Sequence, residues 1–238
     1  MIVSEQGIDS RNSVAQRFPV PLRVFIQARM SSHRFPGKVL APFLGQPLVK
    51  QVITAVEQAL PKVPITVLTS TEEADTALVT YLNSLGVSVF RGPLEDVFER
   101  FRQALRLYSC EWFLRICADS PLLDPSLLRA VAYHPSRTQY DVVTTIFPRT
   151  FPKGQNVELL RVSTFMTIDE TALSSAEREH VTPFYYHHPE RFRISSVTSD
   201  DPTLAAWNLA VDTVEDLHRL EHLSAAQLIR PSEYVVSV

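Results

Sequence analysis

The sequence predicts an α/β fold, a three-layer α/β/α sandwich in which a mostly parallel β-sheet lies between two layers of helices. Short β-favouring runs alternate with amphipathic helical stretches from Leu22 to Ile146, as expected where helical crossovers join parallel strands. The runs at 65–70 and 111–117 have few polar positions, which is typical of strands buried on both faces. Ligands of such sheets bind at the carboxyl ends of the strands, so the residues after each strand are the first candidates for a site.

The first half of the chain supplies most of the predicted sheet. β-favouring runs predict strands at 22–28, 65–70, 87–92, 111–117 and 140–146. Apolar residues at helical spacing predict helices at 47–59, 72–85, 94–108 and 125–131.

The pattern changes beyond Ile146, where a loop contains two Phe-Pro pairs. The elements predicted after this loop are helices at 162–173 and 176–187, a strand at 191–197, a strand-like segment at 207–212 and a helix at 214–223. We expect residues 1–20 to form a polar tail and residues 21–238 a single domain.

The composition excludes several classes of function. The 238 residues carry a formal charge of -3, without the basic excess that nucleic-acid binding requires. No apolar run approaches the roughly 18–20 residues of a membrane span, and the first twenty residues lack a signal-peptide pattern. We therefore expect a cytoplasmic protein with no nucleic-acid or membrane partner. Cys110 and Cys117 flank one predicted strand, about 20 Å apart if extended, so we expect reduced thiols.

Charged side chains follow three predicted strand ends. Arg29, Arg34 and Lys38 come after the first strand, Asp119 after the fourth and Asp212 after the segment WNLAV. Guanidinium and ammonium groups neutralise phosphate oxygens, and carboxylates are the hard ligands that Mg²⁺ prefers. The distribution suits a nucleoside triphosphate with Mg²⁺ held by the two aspartates.

Each of these features also has a purely structural interpretation. A basic loop can be a solvated surface, and Asp119 can merely end a strand before the helix at Pro125. Asp212 can cap the following helix, with Glu215 three residues later completing a capping box. The functional interpretation depends on the conjunction, because the sheet topology would bring all three features to the same edge.

Six segments follow one another between about Arg23 and Leu223: IQARMSSHRFPGKVLAPFLGQPL, FRGPLEDVFERF, LRICADSPLLDP, FPKGQNVELL, EREHVTPFYYHHPERFRI and NLAVDTVEDLHRL. In this order they resemble the motifs of the sugar cytidylyltransferases of the spore coat polysaccharide biosynthesis and acylneuraminate cytidylyltransferase family. The resemblance implies a glycosyltransferase-A-like nucleotidyltransferase fold, of the nucleotide-diphospho-sugar transferase superfamily. Residues of about 147–200 would then form a sugar-binding and dimerisation insertion.

Carried over position by position, the resemblance implies roles for individual residues. The loop that would hold the triphosphate contains Arg29, Ser31, Ser32, Arg34 and Lys38. The two magnesium ligands would be Asp119 and Asp212. Those near the base and ribose would be Ser70 and Arg91. Those facing the sugar would be Lys153, Asn156, Glu158, Arg178 and His180, although a helix or dimer contact is an equal alternative for His180.

The sequence departs from the family pattern at functional positions. Ser31 and Ala118 each replace a Gly, Asn156 replaces an Asp, and Asn208 and Ala210 replace Arg and Thr. A Cβ at position 31 can obstruct the approach of backbone N–H groups to phosphate. The basic residues and the two aspartates are retained, so we expect nucleotide binding and leave open both the sugar and full activity.

The expected reaction is attack by an oxygen of a sugar acid or sugar phosphate on the α-phosphorus of CTP, with release of pyrophosphate. Cytosine rests on the resemblance alone. One alternative is a glycosyltransferase of the same fold, which would usually carry D-x-D where this chain has Ala-Asp-Ser. Another is a nucleotide-binding regulatory protein without turnover. We also expect a homodimer, with Phe184, Tyr185 and Tyr186 either at its contact or in the core.

Overall fold

A computed structural model describes residues 22–225 and 236–237. The predicted tail at 1–20 lies outside the described residues. The strands are β1 Leu22–Gln27, β2 Pro42–Phe43, β3 Gln46–Pro47, β4 Ile65–Ser70, β5 Ser88–Gly92, β6 Trp112–Cys117, β7 Val142–Thr144, β8 Glu158–Arg161, β9 Ile194–Ser196, β10 Thr198–Ser199 and β11 Val236–Ser237. The helices are α1 Leu48–Ala59, α2 Thr76–Ser84, α3 Val97–Leu107, α4 Pro125–Ala132, α5 Val162–Met166, α6 Ser175–His180, α7 Pro183–His187 and α8 Val214–Ala225. In this part of the chain, none of the helices has the length and apolar character needed to cross a membrane.

Seven strands form the main sheet, in the order β5-β4-β1-β6-β8-β7-β9. Strand β1 pairs in parallel with β4 on one side and with β6 on the other. Only β8 runs against its two neighbours, β6 and β7. Because Gln27 at the end of β1 lies opposite Cys117 at the end of β6, the loops that follow these strands start side by side.

Alternate residues of the central strands face opposite sides of the sheet. Val24 and Ile26 of β1 pack in an apolar cluster with α1, α2 and α4. Phe25, between them, belongs to a second cluster formed with α3, α5 and α7. The predicted three-layer α/β/α sandwich with a mostly parallel sheet is therefore confirmed.

The predictions for the second half of the chain were less accurate. No strand was expected at 158–161, yet β8 lies there and joins β6 to β7. It is only four residues long and begins and ends with a charged residue, so its apolar run was too short to recognise. The segment 207–212 is not a strand, because within it only Asn208 forms a β-bridge, with Lys153.

Two predicted helices are shorter than expected. The helix expected at 162–173 ends at Met166. The one expected at 176–187 is interrupted at Val181, which has a φ of 72°, and resumes at Pro183. Proline has no N–H and is tolerated in the first turn, so it starts a new helix here.

The aromatic cluster offered as a dimer contact belongs to the core. Phe184 and Tyr185 are 1% and 0% exposed, and Tyr186 donates a hydrogen bond to Glu158 inside the domain. The homodimer stays a prediction.

Candidate functional site

A cleft of about 350 Å³ opens at the carboxyl ends of β1 and β6. Its lining includes the loop after β1, the end of β6, the last turn of α6 and Asp212, which lies just before α8. The charged and polar residues among them are Gln27, Arg29, Ser32, His33, Arg34, Lys38, Arg115, Asp119, Glu179, His180 and Asp212. The cleft thus brings together the three predicted cations of the loop and both predicted metal ligands.

Lys38 lies at the centre of the cleft, between the two aspartates. Its Nζ is 3.0 Å from Asp119 Oδ2 and 3.3 Å from Asp212 Oδ1, and it also donates to the carbonyl of Val211 at 2.8 Å. Lys38 is only 9% exposed, so its charge is screened little by solvent. The two carboxylates therefore converge on one cation position.

Asp212 holds three cations. In addition to Lys38, its Oδ2 is 2.6 Å from Lys153 Nζ and 3.1 Å from Arg34 Nη2. Burial acts to raise the pKa of Asp212, but the hydrogen bond from Lys153 and the charges of Lys38 and Lys153 outweigh it and lower this pKa. The carboxylate is therefore held in its ionised form.

The helix cap of α8 is formed by Thr213 and Asp216 rather than by Asp212. Asp216 N donates to Thr213 Oγ1 at 3.2 Å, and Asp216 Oδ2 accepts from the backbone N–H groups of Thr213 and Asp212. This reciprocal pair is a capping box in which Asp216 takes the acidic position. The structural interpretation of Asp212 as the cap, with Glu215 as its partner, is therefore wrong, and the Asp212 carboxylate faces the cleft.

The loop after β1 is folded around the backbone of Met30. Its carbonyl accepts hydrogen bonds from the N–H groups of Ser32 and Gly37, at 3.0 and 2.7 Å. Gly37 has a φ of 75°, a conformation that glycine adopts without steric cost. A 3₁₀ turn then begins at Lys38 and directs this residue into the cleft.

Lys153 reaches Asp212 because its loop lies against the segment before α8. Lys153 N donates to Trp207 O, and Leu209 N donates back to Lys153 O, at 3.0 and 2.7 Å. Gly154 makes this approach possible: a Cβ at this position would lie 2.6 Å from the carbonyl carbon of Leu209. The loop of the FPKG segment is therefore fixed next to the predicted metal ligands.

The end of α6 closes one side of the cleft. Arg29 Nη2 is 3.1 Å from Glu179 Oε1, and His180 lies beside them in the lining. Thr182 N donates to His180 O at 2.9 Å across Val181, whose φ of 72° and ψ of -52° form a classic γ-turn, a rare and strained conformation. This turn fixes the direction of the His180 backbone.

Three residues predicted to face the sugar are engaged elsewhere. Glu158 is 0% exposed and accepts from Arg115 and Tyr186, at 2.5 and 2.6 Å. Asn156 Oδ1 accepts from Arg149 at 2.8 Å. Arg178 donates to Asp96, the N-cap residue of α3, and to the carbonyl of Glu170. The Glu158 carboxylate is therefore paired beneath the cleft, and Arg178 joins two helices.

The residues predicted near the base and ribose lie outside the cleft lining. Ser70 is 0% exposed, and its hydroxyl donates to Asp75. Arg91 donates to the carbonyls of Ser70 and Glu72, at 2.9 and 2.8 Å. The hydroxyl of Ser31 is buried and has no hydrogen-bond partner in the part of the chain that the structure describes.

The sequence analysis missed several residues of the cleft, among them Gln27, Arg115, Cys117 and Glu179. Burial raises the pKa of the Cys117 thiol to about 11, although Arg115 opposes this. Arg115 alone gave a signal, as a charge within an otherwise apolar strand. Its partner could not be identified, because β8 was not predicted.

Comparison with known proteins agrees with this fold. A family model described as Cytidylyltransferase matches residues 24–233. The spore coat polysaccharide biosynthesis protein SpsF of Bacillus subtilis is 29% identical over 206 residues, 83% of this chain and 84% of that protein.

Solved structures of other proteins have the same fold as this chain. A cytidylyltransferase from Leptospira borgpetersenii superposes with a TM-score of 0.81 at 26% identity, over 90% of both chains. A CMP:2-keto-3-deoxy-manno-octonic acid synthetase complexed with CTP has the same fold, with a TM-score of 0.66 at 15% identity over 87% of this chain and 99% of that one. The predicted nucleotidyltransferase fold is confirmed, and the chain belongs to the cytidylyltransferase family.

Proposed function

We propose that the protein transfers the cytidylyl group of CTP to an oxygen of a sugar acid or sugar phosphate and releases pyrophosphate, with Mg²⁺ as cofactor. The observation that carries this proposal is the convergence of Asp119 and Asp212 on one cation position, in a cleft that also contains Arg29 and Arg34. An acidic pair next to a basic loop provides for both the metal and the phosphates of a nucleotide.

The donor set of the cleft fits Mg²⁺. The two carboxylates lie within hydrogen-bond distance of a single ammonium group. Among the residues that the structure describes, no group of three or more His, Cys, Asp or Glu side chains could hold a metal. Mg²⁺ is commonly bound by only one or two carboxylates and completes its shell with water and substrate phosphates. Asp119 and Asp212 would hold it here.

When bound, a divalent cation supplies charge neutralisation at phosphate and lowers the pKa of a coordinated hydroxyl group. The chain's own cations do the remaining electrostatic work. Lys38, Arg34 and Arg29 would exchange their carboxylate partners for phosphate oxygens and offset the charge that builds on the leaving pyrophosphate. A new bond forms between the sugar oxygen and the α-phosphorus, and the bond from that phosphorus to the oxygen it shares with the β-phosphate breaks. If the nucleophile is a sugar hydroxyl, its proton leaves to solvent; a sugar phosphate attacks through an oxygen that is already ionised.

The side of the cleft formed by the end of α6 would receive the sugar. His180 and Glu179 line it, and Lys153 reaches the same aspartate as the loop cations. A sugar held there would lie next to the predicted metal position, as a nucleophile must. Glu158 would support this wall from beneath through Arg115 rather than by direct contact.

The test is to incubate the protein with CTP, MgCl₂ and a panel of nonulosonic acids and sugar phosphates, and to measure pyrophosphate. Release with one class of sugar, lost in the Asp212→Asn variant, would support the proposal. CTP binding without release for any sugar would indicate a regulatory protein. Release of free nucleoside diphosphate from a sugar nucleotide would indicate a glycosyltransferase.

A further inference from the structure

Asp75 is a buried carboxylate outside the cleft lining that connects two loops at the carboxyl edge of the sheet. It is 0% exposed. Oδ1 accepts from Met30 N at 2.7 Å, after β1. Oδ2 accepts from Thr69 Oγ1, Ser70 N and Ser70 Oγ, at the end of β4. In the described part of the chain, neither Lys nor Arg forms an ion pair with Asp75; four neutral donors bond to it, and the charge of Arg100 interacts with it at longer range.

The bond to Met30 fixes the whole loop that follows β1. Met30 O accepts the two backbone bonds that fold this loop, from Ser32 and Gly37, and Asp75 holds the N–H group of the same residue. Arg29 precedes this anchor, and Arg34 and Lys38 follow it. The placement of all three cations therefore depends on where Met30 is held.

The other oxygen of Asp75 extends the connection across the sheet. Ser70 donates to it through both its backbone and its hydroxyl. The carbonyl of Ser70 accepts from Arg91 on β5. The ends of β1, β4 and β5 are thus joined through one carboxylate. The Ser70 hydroxyl and two of the Arg91 nitrogens are already hydrogen-bonded within the protein and are not free for a ligand.

An ionised carboxylate suits this position because all four partners donate. Both oxygens of a carboxylate only accept, whereas an asparagine amide has one accepting oxygen and an NH₂ group that would face a donor. Burial acts to raise the pKa of Asp75, but the hydrogen bonds from Ser70, Met30 and Thr69 outweigh it and lower this pKa. The charged form is therefore the one that the site favours.

We propose that Asp75 is a positioning residue for the nucleotide, because it holds the triphosphate loop through Met30. Ser70 and Arg91 then affect nucleotide binding through Asp75 instead of by contacting the base. This inference rests on the proposed function, since it assumes that CTP binds in the cleft. The sequence analysis gave Asp75 no role, because Met30, its partner in the triphosphate loop, lies 45 positions away and becomes a neighbour only in the folded sheet.

The test compares Asp75→Asn with Asp141→Asn. Asp141 is a matched control: it is also buried, accepts from a backbone N–H, that of Arg193 at 2.9 Å, and also from Thr164 Oγ1 and the Arg193 guanidinium. It precedes β7 at the opposite edge of the sheet. We expect Asp75→Asn to weaken CTP binding at least tenfold, as measured by calorimetry in MgCl₂. Asp141→Asn should lower Tm by a similar amount but change CTP binding less than twofold.

A ligand-free measurement separates this inference from the proposed function. Hydrogen exchange in Asp75→Asn should become at least tenfold faster at the amides of Met30 and Ser32, and stay unchanged at Arg193. Unchanged exchange at Met30, or equal CTP affinity in the two variants, would overturn the positioning role. Failure of the wild-type protein to bind CTP would instead overturn the proposed function and leave the exchange result to decide whether Asp75 holds the loop.

A milder variant covers the case in which Asp75→Asn does not fold. The double variant Thr69→Val/Ser70→Ala removes two hydroxyl donors and leaves the backbone donors in place. We expect about threefold weaker CTP binding, against no change in Thr164→Val, which removes one hydroxyl donor from Asp141. Equal affinity of both variants would contradict the proposal.

Discussion

Gly154 fixes the distance between the FPKG loop and the segment that carries Asp212, and its replacement by alanine tests that geometry. The backbone has a φ of +96°, and an added Cβ would lie 2.6–2.8 Å from three backbone atoms of Leu209 and Ala210. The positive φ alone costs an L residue about 1–2 kcal/mol. The clash must also separate two backbone hydrogen bonds, each contributing about 1 kcal/mol. We expect a loss of about 3–4 kcal/mol in the free energy of unfolding.

The matched control is Gly86→Ala, because Gly86 also has a positive φ, +70°, but a Cβ there would meet nothing within 4 Å. It should lose only about 1–2 kcal/mol. For a chain of this size, Gly154→Ala should lower Tm by roughly 6–16 °C and Gly86→Ala by roughly 2–8 °C, as measured by calorimetry. Gly154→Ala should also lower cytidylyl transfer, because Lys153 moves away from Asp212. Equal losses in the two variants would refute the close approach.

Three further predictions concern the charges. Asp212→Asn should remove about 2–4 kcal/mol of transition-state stabilisation, which corresponds to a roughly 30- to 1000-fold loss of kcat in a pyrophosphate assay. A loss under threefold would show that Asp212 does not hold the metal or contact the reacting groups. Arg34→Ala should raise KM for CTP and lower kcat together, since Arg34 is exposed and pairs only with Asp212 among the described residues; unchanged CTP kinetics would contradict its phosphate role. The pKa of Asp75 is lowered in the folded state, so the wild type should exceed Asp75→Asn in free energy of unfolding by its full margin above about pH 4. That margin should shrink as the pH falls through the lowered pKa, as measured by urea unfolding at several pH values. A margin that grows in acid would show that burial raises the pKa of Asp75 instead.

The sheet and the convergence of charges could be predicted from sequence because both follow from general rules. Parallel strands with helical crossovers place their carboxyl ends at one edge, and the residues after β1 and β6 are recognisably charged. The pairing of Lys38 with Asp119 needs only that these two strands be neighbours. The position of Asp212 does not follow from strand order alone, because the segment before it is not a strand and is held by the backbone of Lys153.

The error over Glu158 has a physical cause: its decisive partner comes from a distant part of the chain. Glu158 was predicted to face a sugar because its loop resembles a sugar loop, but it lies opposite Arg115 in the pairing of β6 with β8. Burial opposes the charge of Arg115, yet Cys117 and Glu158 raise its pKa. A charge that is stabilised by one specific partner can be interpreted only when the strand register is known, and the sequence does not specify that register.

The ion pairs of the cleft indicate that ligand binding exchanges partners instead of adding new ones. Lys38 is almost completely buried and forms ion pairs with both aspartates. If a divalent cation alone engaged Asp119 and Asp212, Lys38 would lose its anionic partners in a site where an unpaired polar group costs about 1–3 kcal/mol, and a charged one more. If a triphosphate alone engaged Lys38, Asp119 would lose its cation and face the phosphates, and Asp212 would keep only the more exposed Lys153 and Arg34. Both costs disappear when nucleotide and metal bind together. We therefore expect pyrophosphate to bind at least tenfold more weakly without MgCl₂ than with it, and MgCl₂ to bind at least tenfold more weakly without pyrophosphate than with it. Equal affinities with and without the second ligand would contradict this exchange of partners.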